Sequence, residues 1–338
     1  MAGMTVILRA GRPLKSTASE PVVALGRTNS SSTAAGPHVT VHGWPAFEQT
    51  YFCGTCPLLF QRRSGADGYM PPDRLRDQLA AGLDDLEPDI VRAFLSLLAP
   101  GSYLPILLET AAELVTPGGE GDYYTHEQLQ TWNTEDKDYL PADPGTGYYR
   151  LNGRSATAVP GGGLLFEFLV PMFPPDRNHR ATFIRYQRAM HGGSRPTAVA
   201  VSVLDAAYPY YPDPPPSLDA SHWGWTHFLL DGHHKTEAAA RIGQPLRLLS
   251  LLCLDGGNTY PRYARALPAL FGAAPGTPAW PPLDPQDVGL GVFTGQDGFQ
   301  GDEPGVVTCE LFGRVHTVWS QTGPKPRRGT SCPETSSV

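Results

Sequence analysis

The stretch His227-Phe-Leu-Leu-Asp231-Gly232-His233-His234-Lys235-Thr-Glu237-Ala-Ala-Ala-Arg241 decides how this chain is read. An apolar run delivers a glycine, and a helical pattern starts at once with two histidines and a lysine. Cationic side chains in a first helical turn oppose the helix dipole. A bound anion would relieve that conflict, because the first N–H groups of a helix lack intrahelical acceptors and themselves form an anion site. Gly232 would let the backbone approach a phosphate closely. Ala238, Ala239 and Ala240 would let the helix lie tight on a sheet. These features describe phosphate capture at a strand-to-helix turn.

Upstream, Leu164 to Met172 (LLFEFLVPM) is an apolar strand closed by Pro174-Pro175. Asp176 to His191 has helical spacing, with Phe183, Tyr186 and Met190 on one face. Arg177, Arg180 and Arg188 fall on the other face and read as solvated. Thr197 to Leu204 (TAVAVSVL) is a β-branched strand, followed by a proline-rich loop over 209–216. Trp225 to Leu230 is a strand, Lys235 to Ile242 a helix, and Leu246 to Leu254 a closing apolar strand. Strand, helix, strand, strand, helix, strand within 161–255 predicts a compact α/β (α+β) unit.

FLLDGHHKTEAAARIGQPLRLLSLL resembles the ParB/sulfiredoxin-like superfamily, whose members carry a Gly-x-His-Arg or Gly-x-Arg-Arg turn between a strand and a helix. The upstream order VPMFPPD, amphipathic helix, HGGSRPTAVAVSVLD fits the same pattern. The DGHH form followed by a base is closest to the branch with free-serine kinases and related DGHH proteins. The resemblance covers roughly 164–254, about a quarter of the chain. It implies that Gly232, His233, His234 and Lys235 cradle the phosphates of a nucleotide (ATP, ADP or CTP). Sulfiredoxins place their nucleophilic cysteine where His233 stands, so sulfinic-acid reduction is not implied. Lys235 replaces the more usual arginine, a point charge in place of a bidentate fork.

The resemblance extends to phosphoryl transfer onto a small metabolite, a reaction made mostly of positioning and charge neutralisation, usually with Mg²⁺. His234 is a candidate catalytic group, and the acids would come from Asp231, Glu167 or Asp205. Each acid has a plainer reading. Asp231 suits a helix N-cap, while Glu167 and Asp205 suit hydrogen-bonded structural carboxylates inside or ending apolar strands. Glu237, one turn after His233, could orient it. The rival function is a non-catalytic nucleotide- or anion-binding regulator or adaptor with a protein partner. His222, His227, His233 and His234 do not share one helical face, so a histidine metal cluster is not expected.

Cys53-Gly-Thr-Cys56 opens a third reading. Such a turn can lower a thiol pKa and exchange disulfides, with Pro105 downstream about where a thioredoxin-like fold places its cis-proline. Residues 61–100 are mostly helical, however, and the strand–helix–strand order is not evident. Zinc needs two more ligands, and Cys253, Cys309, Cys332, His38 and His42 offer no second paired spacing. Structural cysteines are the simpler expectation. Gly298 to Gly305 (GFQGDEPG) lacks the alternating ligands of a calcium loop and reads as a turn.

Around the α/β unit the organisation is looser. Residues 1–40, rich in Ser, Thr and Ala, suit a disordered tail, an over-long start or a transit peptide. Residues 41–160 form a mixed region with a strand around His38–Gln49, helical spacing at 72–83 and 88–98, and an apolar strand from Ser102 to Glu109. From Thr116 to Pro160 the chain is loop-like, aromatic and acidic. Residues 256–322 predict a β-rich extension with a short helix near Arg262–Phe271 and strands around 288–294 and 305–320. Residues 323–338 read as a disordered tail.

Composition bounds the classes. The 338 residues carry Lys+Arg 26 against Asp+Glu 33, a net charge of −7, which argues against coating nucleic acid by bulk charge. Gly 37 plus Pro 35 is about a fifth of the chain, high yet under the roughly 25–30% of low-complexity sequence. Cys 5 is an odd count for a secreted disulfide framework. No apolar run approaches the ~18–20 residues of a membrane span. The expected setting is the reducing cytoplasm. Lysine occurs only at 15, 137, 235 and 325, which reads as composition bias, yet Lys235 is the sole lysine of the patterned unit.

Overall fold

Runs such as Thr197–Ala207 (TAVAVSVLDAA) and His222–Asp231 (HWGWTHFLLD) are buried along nearly their whole length, as strands covered on both faces must be. The computed structural model describes residues 4–27, 37–49, 60–128, 144–175, 180–207, 221–272, 277–283, 306–311 and 314–319. Its first strands are β1 (Val6–Ala10), β2 (Leu14–Ser16), β3 (Val23–Arg27), β4 (Pro37–Val41), β5 (Trp44–Gln49) and β6 (Phe60–Arg62). Helices α1 (Arg76–Ala81) and α2 (Pro88–Leu95) follow, then β7 (Gly101–Thr110), β8 (Glu113–Val115), β9 (Tyr148–Arg150) and β10 (Thr157–Ala158). The patterned unit is β11 (Leu164–Pro171), α3 (Arg180–His191), β12 (Thr197–Ala207), β13 (His222–Asp231), α4 (His233–Ile242) and β14 (Leu246–Cys253). Helix α5 (Pro261–Ala266) and a hairpin of β15 (Val306–Leu311) and β16 (Arg314–Trp319) complete the order.

The class is α+β. A ten-stranded mixed sheet runs β1-β7-β14-β12-β13-β11-β9-β8, with β2 beside β7 and β10 beside β11. β11 is parallel to β13 and β12 to β14, while β12 and β13 are antiparallel. A four-stranded antiparallel sheet, β3-β4-β5-β6, lies apart from it. Alternation along each strand sends side chains to two layers. One layer joins Phe166, Phe168, Val201 and Phe228 to Phe47 and Phe60 of the small sheet and to Leu79, Ile90 and Phe94 of α1 and α2. Phe228 meets Phe47 and Phe60 at ring-centre distances of 5.0 and 5.2 Å. The other joins Leu165, Leu169, Trp223 and Trp225 to Tyr186, Met190, Ala238, Ala239 and Tyr263 on α3, α4 and α5. Ala238 and Ala239 are fully buried, so α4 does lie close on the sheet.

Several expectations meet a different arrangement. The stretch expected as a tail over 1–40 supplies β1 and β2 to the large sheet and β3 to the small one. Thr5 anchors it: its N–H donates to Asn152 Oδ1 at 2.8 Å and its hydroxyl to Glu167 Oε2 at 2.9 Å. The boundary near 160 does not separate folding units, since β7 pairs with β14 along eight residues from Thr110–Leu246 to Tyr103–Cys253. The loop expected over 116–160 contains β9, β10 and a helical turn at Tyr123–Glu127 capped by Asp122. Strands expected at 288–294 and the tail at 323–338 lie outside the described residues. Among the described residues no helix is long and apolar enough to cross a membrane.

Candidate functional site

β13 ends at Asp231, and Gly232 turns the chain into α4 with φ 99° and ψ 22°, a left-handed conformation that favours glycine. A Cβ at this position would lie 2.7 Å from Ala198 Cβ on β12. Gly232 is also the helix N-cap, and it has no side chain with which to cap α4. Asp231, a candidate for that cap, instead accepts a hydrogen bond from Lys235 Nζ at 2.6 Å. The Asp231 carboxylate is therefore engaged by Lys235 at this turn.

Lys235 departs from the expectation of a ligand-facing cation. Its Nζ also donates to the Thr197 carbonyl at 3.0 Å, and its side chain is 2% exposed. Burial pulls the ammonium below its usual range, and the Asp231 carboxylate works in the opposite direction. The pair is a brace across the strand-to-helix turn, with one face on the site. His233 is buried, in ring contact with Phe173 at 4.7 Å, and its Nε2 faces the Phe173 N–H at 3.4 Å. Burial, helped by the neighbouring His234, holds it neutral by pushing its pKa down to about 3. His233 is thus not a cation on this helix.

A cleft of about 560 Å³ opens at this turn, within the size range of small-molecule sites. Asp231, Gly232, His233, His234 and Lys235 form one side. Thr182, Arg185 and Tyr186 of α3, at helical spacing, form a second; Phe173, Pro71 and Arg76 of α1 complete it. Sequence reasoning missed Arg185 and Arg76. Arg185 sits beside Tyr186, which shares the buried stripe of α3, so its position flanking that stripe is the signal that could have found it. Arg185 stands over the Tyr186 ring at 5.3 Å, and Lys235 Nζ lies 6.0 Å from the same ring. Tyr69, next to this wall in sequence, has a buried hydroxyl without a hydrogen-bond partner among the described residues. Burial and the charge of Asp231 push that hydroxyl well above its ordinary range.

The structure does not bring Glu167 or Asp205 to the cleft's lining. Val199 pairs with Asp231 but Asp205 with Gly224, which puts Asp205 about 20 Å along the strand at 3.3–3.4 Å per residue. Its Oδ1 accepts the Asn258 N–H at 2.7 Å and so holds the loop after β14. Glu167 lies mid-strand, buried, with Thr5 on Oε2 and no partner for Oε1 among the described residues. Burial pushes its carboxyl up to about 8, against the lowering effect of the Thr5 hydrogen bond. Glu237 pairs with Arg241 at 2.8 Å instead of orienting His233. Cys53 and Cys56 lie outside the described residues.

The histidines of β13 are likewise engaged in the core. His222 Nδ1 bonds the Tyr123 hydroxyl at 2.8 Å, and His227 Nδ1 bonds Ser250 Oγ at 3.0 Å. Among the described residues no group of three or more His, Cys, Asp or Glu could hold a metal ion. Among the described residues Asp231 is the one carboxylate lining the cleft, and Lys235 occupies its Oδ2. Compared with protein-family models, curated proteins and solved structures, the chain finds no match.

Proposed function

We propose that this protein binds the phosphate groups of a nucleotide, ATP, ADP or CTP, in the cleft at the start of α4, as a ParB/sulfiredoxin-like module. One observation carries the reading: a helix N-terminus behind a left-handed glycine shares its cleft with two arginines from other helices. The N–H groups at a helix start and guanidinium forks are donors suited to phosphate. The Asp231–Lys235 pair is formally neutral, and neutral His233 adds no charge, so Arg185 and Arg76 supply the attraction at the rim. A cytoplasmic setting suits such a ligand.

Binding without turnover is the form of this proposal that the acids favour. Of the candidates for phosphoryl transfer, Glu167 and Asp205 hold other parts of the sheet, and Asp231 is engaged by Lys235. The phosphotransferase reading survives through Asp231 and His234 alone. A thermal-shift series with ATP, ADP and CTP, with and without Mg²⁺, tests both. A ligand that binds only the native state at a hundred times its Kd adds about 2.7 kcal/mol of stability. The expected result is a nucleotide-dependent rise in Tm that Arg185→Ala reduces, without release of phosphate. No rise with any nucleotide would overturn the proposal; phosphate release lost in His234→Ala would restore the enzyme.

A further inference from the structure

The stretch 164–254 does not close this cleft alone. Its remaining wall comes from far upstream, where Pro71 and Arg76 line the cavity. Tyr69 belongs to the same segment, in ring contact with Phe173 at 6.5 Å, and keeps a fully buried hydroxyl with no hydrogen-bond partner among the described residues. The charge of Arg76 reaches across the cleft, disfavouring the charged form of Lys235 and favouring that of Tyr186. Arg76 is itself paired with Asp73, three residues earlier, with side chains 58% and 77% exposed. Such a solvated i,i+3 pair is weak and readily exchanged.

We infer that Arg76 is a specificity residue of this site, exchanging Asp73 for a distal phosphate of the ligand so that the cleft selects a polyphosphate over a single phosphate. This rests on the reading of the cleft as a phosphate site. The cavity of about 560 Å³ is far larger than one phosphate group, and its two arginines stand on separate helices, α1 and α3. A lone phosphate seated on the α4 N-terminus leaves Arg76 with Asp73. A chain of phosphates reaching from that seat towards α1 gives Arg76 a doubly charged partner in place of the single charge of Asp73.

Calorimetric titration of the full chain with tripolyphosphate and with orthophosphate tests this. The wild type should bind tripolyphosphate more tightly. Arg76→Ala should weaken tripolyphosphate about tenfold, the scale of one charge-assisted contact, while orthophosphate changes by less than about twofold. Asp73→Asn, which removes the internal competitor, should tighten tripolyphosphate by about threefold. Equal weakening of both anions in Arg76→Ala, or unchanged tripolyphosphate binding in it, overturns the inference and leaves the phosphate site standing. An Asp73→Asn chain no tighter than wild type removes the exchange. If the wild type binds neither anion, the phosphate reading falls first and takes this inference with it.

Discussion

Glu167→Gln is the substitution whose outcome the structure fixes most closely. Glu167 is buried in β11 with one hydrogen bond to its carboxyl, from Thr5, and no charged neighbour among the causes that shift it. Burial pushes its pKa from 4.5 to about 8. Between those values the folded chain holds a proton that the unfolded chain has released, so stability falls as pH rises. The slope is about 1.4 kcal/mol per pH unit, giving a loss of about 3 kcal/mol by pH 7 and about 5 by pH 8 and above. Glutamine keeps the shape and an acceptor for the Thr5 hydroxyl but carries no proton to lose. The difference between variant and wild type cancels every other titrating group. Urea unfolding followed by the fluorescence of buried Trp223 and Trp225, from pH 5 to pH 9, measures it. The variant should match the wild type within about 1 kcal/mol near pH 5 and exceed it by about 2–5 kcal/mol at pH 9. A pH-independent difference, or a variant that loses ground as pH rises, refutes the argument.

The other outcomes concern the turn and the buried histidines. Gly232→Ala puts a methyl 2.7 Å from Ala198 Cβ at φ 99°; urea midpoints should fall by about 2–4 kcal/mol of stability, and phosphate binding should weaken with it. Lys235→Met leaves Asp231 and the Thr197 carbonyl without their buried donor, a loss of about 3–5 kcal/mol, and adding Asp231→Asn should recover most of it; a non-recovering double variant would show that the pair is not a brace. Burial pushes His222 down to about 4 and His227 and His233 to about 3. These groups stay neutral when folded and charge when unfolded, so stability drops as pH falls below 6.5, by up to about 1.4 kcal/mol per unit for each. His227→Gln should remove one such slope between pH 6.5 and pH 4 in acid titrations of stability. With Glu167 acting in the opposite direction, these four groups place the stability maximum just below about pH 7.

The α+β class and the central strands were legible because two signals coincide between 164 and 254: near-continuous apolar runs for doubly covered strands, and helical spacing between them. Thr197–Ala207 and Leu246–Cys253 fall within a few residues of their expected bounds. β1 was not legible. Its Val6-Ile7-Leu8 run is too short to separate from chance, and what fixes it is a set of hydrogen bonds such as Thr5 to Asn152, 147 residues apart. No local pattern encodes a contact of that range. The same holds for the aromatic cluster around Tyr123, Tyr124 and Tyr148, whose buried acid, Asp122, accepts from the Tyr148 hydroxyl at 2.6 Å. Its sequence is polar and irregular, and only packing against Phe166 and Phe168 makes it core.

The candidate site was legible in place but not in roles, and the reason is the spacing of its charges. Asp231 and Lys235 are four residues apart across a helix start, the distance at which opposite charges meet, so the scarce lysine answers the acid beside it before it answers a ligand. His233 fails as a cation for a related reason: its ring lies under Phe173, where an imidazolium would be unsolvated. The cationic character inferred from three adjacent residues thus moves to Arg185 and Arg76, which sit 47 and 156 residues upstream of Gly232. This relocation separates two properties that the sequence ran together. The brace of Asp231 and Lys235 ties the turn together, whereas the proposed binding role falls to the rim arginines. Removing a rim arginine should therefore change affinity at nearly constant stability, and removing the lysine should do the reverse.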